Sequence, residues 1–343
     1  MNVNNFKFIE CINNKNILKK FFQNFSNFDN FNSSIIHGDK GIGKATFIKN
    51  FINTIFVNLS GNNINEDNNY HYNLILNNSH PNILNISKKI DEKTYKLKNY
   101  ITIDQIRKIE SFIYQSSLNN LPKIILIDSA DDLNLNSSNA LLKILEEPKK
   151  NSIFFLISHK PSSLLPTIRS RCIKFKYNKP NFDEFKKIIN LKYSELHDNE
   201  ELEYLFELSS ASPGLAINFY LQETSNTFDN LIQIFKERKI LSSKIIQFSN
   251  TISAYNNEQF YSFLIVFKFI LSNILKINSG VNIKKIISSK LSNKLSEISE
   301  YLDNYSCFKA LEYLNKYENK LFRLNLDKKI FTMNLISEII ENK

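Results

Sequence analysis

The chain has 343 residues, of which 42% are hydrophobic and 23% charged, with a formal net charge of +10. That length points to two or three domains of a soluble globular protein, and its three widely spaced cysteines (Cys11, Cys172 and Cys307) exclude a disulfide framework or a Cys-x-x-Cys zinc site. The basic excess is compatible with nucleic acid or an acidic partner. However, all but five of the 44 basic residues are lysines, spread through a chain crowded with Asn and Ile.

Arginine is therefore the informative residue: Arg107, Arg169, Arg171, Arg238 and Arg323, two of them only two residues apart. Planar bidentate phosphate contact is work that lysine does badly. The N-terminus lacks the basic start and apolar run of a signal peptide, so a cytoplasmic protein is expected. Residues 260–277 come nearest to a membrane span, but Lys268, Ser272, Asn273 and Lys276 interrupt them. A buried helix is expected there, and no membrane partner.

In chain order, residues 14–24 read as a short helix and Ser33–His37 as a strand running into a turn. Lys44–Val57 is apolar at helical spacing through Phe47, Phe51, Ile52 and Ile55. Residues 58–78 hold nine Asn and read as a loop. Asn82–Ile86 is a strand, followed by a charged loop, and Ile101–Ser117 is an amphipathic helix with Asp104 near its start. Ile124–Asp128 and Ser152–Ser158 are continuous apolar runs, as strands buried on both faces require. Between them lies a helix, Ser137–Glu147, stopped by Pro148. Ser162–Arg169 reads as a short helix and Cys172–Tyr177 as an edge strand.

Six of the seven prolines lie between 81 and 180, and beyond Gly214 there is one glycine and no proline. The pattern predicts an α/β domain with a parallel sheet of about five strands over 1–178. A small helical unit follows over 179–223, and then an all-helical domain over 224–343.

The chemistry gathers at Gly38-Asp-Lys-Gly-Ile-Gly-Lys-Ala-Thr46, which holds three of the six glycines. Strand, glycine-rich turn, lysine and helix is the setting of a phosphate-binding loop. Gly38, Gly41 and Gly43 would let backbone N–H groups turn inward, the helix N-terminus adds partial positive charge, and Lys44 would reach the phosphates. Ala45 stands where a magnesium-binding hydroxyl is needed, and Thr46 is one position on, about 100° around the helix. Asp128 ends its strand as a magnesium-holding acid would. Ser129 follows it, with no carboxylate to polarise water, and Asp131 lies too far along to be assumed equivalent. Ser158 ends the next strand, placed to touch a γ-phosphate. Arg171, with Arg169 as a second candidate, lies in Thr167-Ile-Arg-Ser-Arg-Cys172, off its own phosphate loop. It suits an arginine finger serving a neighbour.

Asp128-Ser-Ala-Asp-Asp-Leu, Asn139-Ala-Leu-Leu-Lys-Ile-Leu-Glu-Glu-Pro148, Ser158-His and Leu165-Pro-Thr-Ile-Arg-Ser-Arg-Cys172 together resemble the clamp-loader ATPases of the AAA+ superfamily. The departures within these motifs resemble the delta-prime branch of the bacterial DNA polymerase III clamp loader. The likeness implies a RecA-like AAA+ domain, a helical lid and a collar domain through which five subunits form a ring. It implies gamma/tau and delta subunits, the sliding clamp and primer–template DNA as partners within that complex. It also implies that Arg171 serves the ATP of an adjacent gamma/tau subunit, with no or little turnover by this chain. After Pro213-Gly214 comes Leu-Ala-Ile-Asn, without the sensor arginine of active relatives. Relatives often carry four zinc-binding cysteines after the phosphate-loop helix. None occurs here, so no zinc is expected, while ATP or ADP binding stays open. The alternative is an active gamma/tau-like AAA+ ATPase of replication or repair.

Overall fold

The computed structural model describes residues 21, 32–60, 64–91, 98–191, 193, 196, 198–221, 224–237, 243–283 and 287–340. The helix expected over 14–24 falls outside these residues except for Phe21. Two compact units result, Met1–Pro180 and Asn181–Lys343.

Unit 1 is built on five parallel strands: β1 (Ser33–His37), β2 (Ile83–Ile86), β3 (Lys123–Asp128), β4 (Ser152–Ser158) and β5 (Ile173–Lys176). Their order in the sheet is β2-β3-β4-β1-β5, with β1 against β4 and β5, and β3 against β2 and β4. The apolar runs of β3 and β4 sit inside the sheet and the alternating β5 sits at an edge, as the patterning implied. Side chains of β4 alternate between two cores. Ile153, Phe155 and Ile157 join the cluster that holds Phe51, Ile52 and Ile55 of α1 (Lys44–Ser60). On the other face, Phe154 and Leu156 join Ile106, Ile109 and Ile113.

The Asn-rich stretch corrects one expectation. Ile64–Leu76 is a helix, α2, and not a loop. His71 and Ile75, four residues apart, are buried on one side of it. Asn78, at φ 53°, closes it in the left-handed conformation, and the Ser79 N–H donates to Leu74 O at 2.9 Å. Low helix propensity of Asn hid the element, and burial of those two residues overrides it.

The amphipathic helix is α3 (Ile103–Tyr114), two residues later in its start than expected. Thr102 precedes it, and its N–H donates to Gln105 Oε1 at 3.1 Å. Then α4 (Leu135–Glu146) starts at Asn134, whose Oδ1 accepts from the Ser137 N–H at 2.9 Å. The 162–169 stretch splits into a single 3₁₀ turn, Pro161–Ser163, and α5 (Pro166–Ser170).

Unit 2 is helical throughout its described residues: α6 (Phe182–Asn190), α7 (Asn199–Leu208), α8 (Pro213–Leu221), α9 (Thr224–Glu237), α10 (Ser243–Ser253), α11 (Asn257–Asn278), α12 (Ser289–Ser299), α13 (Asn304–Leu324) and α14 (Lys328–Ile340). One hydrophobic cluster runs from Phe185 to Ile339, so the helices on either side of residue 223 share a core. In α11, the stretch that is apolar enough to span a membrane, Phe260, Phe263, Leu264, Phe267, Ile270 and Leu271 are buried in that cluster.

Phe155 is fully buried in the central β4. Phe155→Ala is expected to cost about 3–5 kcal/mol of unfolding free energy in urea titrations. Ile173→Ala on the exposed edge strand is expected to cost under about 1 kcal/mol.

Candidate functional site

The glycine-rich loop joins β1 to α1 at the C-terminal edge of the sheet, and two local constraints fix its course. A Cβ on Gly38 would lie 2.5 Å from the backbone oxygen of Tyr177. Gly41 and Gly43 have φ of 80° and 100°, which residues with a Cβ rarely adopt. The loop is tied to the next strand by the Gly38 N–H, which donates to Ser158 O at 3.2 Å. An ion pair between Lys179 and Asp39 at 2.8 Å ties it to the chain after β5.

Lys44 is 3% exposed, and its ammonium donates to Gly38 O at 2.6 Å and Asp39 O at 2.5 Å. Burial lowers its pKa to about 8, against the attraction of Asp128, then Asp131 and Asp39. Asp128 ends β3 beside it, and burial raises its carboxyl pKa while Lys44 opposes the rise. Ala45 packs half-buried against the core, and Thr46 is exposed on the first turn of α1.

The residues present fit a phosphate group better than they fit a magnesium ion. The loop, the helix N-terminus and Lys44 are a phosphate cradle. Magnesium lacks a hydroxyl at position 45, and the hydroxyl of Ser129 donates to Asp131 at 3.0 Å. No group of three or more His, Cys, Asp or Glu side chains able to hold a metal occurs among the described residues.

Asp131, set aside in the sequence because of its spacing, organises the site. Its carboxylate accepts from Ser129 Oγ at 3.0 Å, Ser158 Oγ at 2.8 Å, the His159 N–H at 2.5 Å, the Lys160 N–H at 3.2 Å and Ser163 Oγ at 3.0 Å. Burial pushes its pKa up, but the bonds from His159, Ser158, Ser129 and Ser163 outweigh burial and hold it below the usual value. The Ser158 hydroxyl, expected to face a γ-phosphate, is thus held by Asp131. Next to it, burial and then the Lys44 charge lower the His159 pKa to about 4, so the ring is neutral at pH 7. The signal in the sequence was the Asp131-Asp132 pair directly after a strand, opposite a Ser-His at the end of another.

Arg171 lies at the opposite edge of the sheet. Its carbonyl accepts from Ser33 Oγ at 2.7 Å, at the first residue of β1, whereas Gly38 follows the last. Five residues of strand separate the two by about 16 Å. That is farther than an arginine side chain extends. The guanidinium donates to Thr167 O at 3.1 Å and pairs with Glu146 at 2.6 Å. Glu146 belongs to the Leu-Glu-Glu-Pro run, so two motifs far apart in the chain meet here. This contact was not foreseen from the sequence. Arg169, half-buried in α5, has an Nε with no hydrogen-bond partner.

Residues 13–181 match the family model described as DNA polymerase III, delta subunit. The delta′ subunit of DNA polymerase III from Pseudomonas aeruginosa is 46% identical over 74 residues, 22% of this chain and 23% of that protein. The delta′ subunit from Buchnera aphidicola subsp. Baizongia pistaciae is 32% identical over 146 residues, 41% of this chain and 43% of that protein. The chain spans less than half the length of these two relatives. A solved DNA polymerase III gamma subunit-related protein from Thermotoga maritima is 16% identical, with a TM-score of 0.46 over 93% of this chain and 97% of that one.

Asp131→Ala leaves several partly buried donors unpaired, and is expected to lower stability by about 3 kcal/mol at pH 7. The depressed carboxyl pKa stabilises the fold above the ordinary value of 3.8, and that contribution is lost as pH falls through the folded value. The gap between wild type and variant in denaturant titrations is therefore expected to close at acid pH.

Proposed function

Because residues 13–181 match the family model described as DNA polymerase III, delta subunit, and the relatives reported above are delta′ subunits, we propose that this chain is a clamp-loader subunit that assists catalysis on a neighbour. It would help to place the sliding clamp on primer–template DNA within a five-membered ring containing gamma/tau and delta subunits. Helices of 179–223 would act as the lid and those of 224–343 as the collar, in a cytoplasmic complex. Arg171 would extend to the ATP held by an adjacent gamma/tau subunit, with Arg169 behind it.

The carrying observation is the placement of Arg171. It is about 16 Å of strand away from its own phosphate loop, at the surface, and held by Glu146 through a single half-exposed ion pair. Such a pair is worth about 1 kcal/mol or less. Exchanging it for a phosphate contact therefore costs little, while a guanidinium completing a transition state is worth about 10³–10⁵ in rate.

Weak or absent turnover by the chain itself is supported by three departures. Ala45 offers no hydroxyl to magnesium, Ser129 offers no carboxylate to water, and Asp131 is committed to five donors. ATP or ADP, where bound, would rest on Gly38, Gly41, Gly43 and Lys44 with Asp128 nearby. The alternative, an autonomous gamma/tau-like ATPase, draws on the intact glycine geometry and the retained Lys44.

Two measurements separate them. In the ring reconstituted with gamma/tau, delta, clamp and primed DNA, Arg171→Ala is expected to lower ATP turnover by about 10³-fold at the site it serves. Full ring activity with that variant would overturn the assignment. The purified chain alone is expected to hydrolyse ATP at background rate, unchanged by Lys44→Ala. Ring-like turnover that Lys44→Ala abolishes would establish the alternative.

A further inference from the structure

Away from the phosphate loop, α1, α2 and the approach to β2 meet in a buried run of hydrogen bonds. The Asn82 N–H donates to His80 Nδ1 at 3.1 Å. His80 Nε2 lies 3.0 Å from His71 Nδ1, and His71 Nε2 lies 3.2 Å from Ser60 Oγ. The Ser60 hydroxyl donates to Phe56 O at 2.8 Å. Both histidines are only 3% exposed, and the His80 ring stacks on Phe56 with centroids 4.5 Å apart.

The direction of every bond follows from the first. A backbone N–H only donates, so His80 Nδ1 carries no proton. The single proton of a neutral ring then sits on Nε2 and points at His71 Nδ1. His71 in turn has its proton on Nε2 and donates to Ser60, whose own hydrogen is committed to Phe56 O. One amide thus sets the tautomers of both rings.

We propose that this run is a proton-sensitive clasp, which holds α2 on α1 while both imidazoles are neutral and releases α2 when either gains a proton. A proton added to His80 Nδ1 would face the Asn82 N–H, and one added to His71 Nδ1 would face His80 Nε2–H. Either change sets two donors against each other in a buried site, where an unpaired group is costly. Of the described charged groups around the clasp, Lys123 opposes protonation of His80. Lys123, from β3, faces His80 and donates to Pro81 O at 3.2 Å. The Tyr70 ring stands edge-on to His71 at 5.4 Å, and Lys49 of α1 donates to Asn78 Oδ1 at 3.2 Å at the end of α2.

Burial first, then His71 and Lys123, lower the His80 pKa from 6.5 to about 4. The sign follows: the clasp contributes fully above pH 6.5, and its contribution is lost as pH falls from there towards about 4. The same proton assignment disfavours a metal chelate. A cation replacing the His80 Nε2 proton would leave an imidazolate, because Nδ1 is already taken by Asn82.

The test uses the full chain. Imidazole ¹⁵N spectra at pH 7.5 are expected to show the Nε2–H tautomer for both His71 and His80. Hydrogen exchange, corrected for its intrinsic pH dependence, is expected to lose protection at α2 by roughly tenfold or more between pH 7 and pH 4.5. Protection of α3 should hold over the same interval. In the double variant His71→Leu/His80→Leu, the pH dependence at α2 should vanish. An Nδ1–H tautomer at His80, unchanged α2 protection, or α2 and α3 opening together would each overturn the clasp, and the wild-type measurements decide even if the variant does not fold.

Discussion

One carboxylate sets the working edge of the sheet. Asp131 gathers hydroxyls from Ser129, Ser158 and Ser163 and the N–H groups of His159 and Lys160. Those donors come from two separate stretches of chain, one after β3 and one after β4. Without that acceptor the part-buried donors of Ser129, Ser158 and His159 would be left unpaired, at a cost of about 1 kcal/mol or more each. The phosphate loop depends on this anchor through the Gly38 N–H, which bonds to the Ser158 carbonyl. A residue not among the expected site residues thus holds together residues that are.

The opposite edge follows a different logic. β1 carries the phosphate loop at one end and, through Ser33, holds the Arg171 backbone at the other. Because the strand is paired with β4 over its whole length and with β5 from Ser34 to His37, the separation between cradle and guanidinium is fixed by strand length. A rigid spacer of this kind keeps the Arg171 side chain from its own phosphate loop.

Much of this was legible in the sequence, for identifiable reasons. Continuous apolar runs gave β3 and β4 because strands buried on both faces have no polar side, and alternation marked β5 as an edge. Glycines followed by Lys44 located the loop. What stayed hidden depends on contacts between distant residues. No local pattern pairs Glu146 with Arg171, or Asp131 with Ser163. Helix α2 was obscured by its asparagines, since its stability comes from His71 and Ile75 packing and not from propensity. The division at residue 223 was drawn from composition, yet the helices on both sides of it contribute to one core.

The glycines and Lys44 left ATP or ADP binding open in the sequence. Packing supplies a sufficient cause for those glycines without any nucleotide. A side chain at Gly38 would strike a backbone atom of Tyr177, which cannot move aside as a flexible side chain could. Gly41 and Gly43 occupy left-handed backbone, where a side chain strains the chain whether or not phosphate is bound. Lys44 is likewise supplied with acceptors by the loop carbonyls themselves. The loop's shape is therefore a condition for joining β1 to α1. The position free of that condition is 45, where Ala45 packs half-buried against the core.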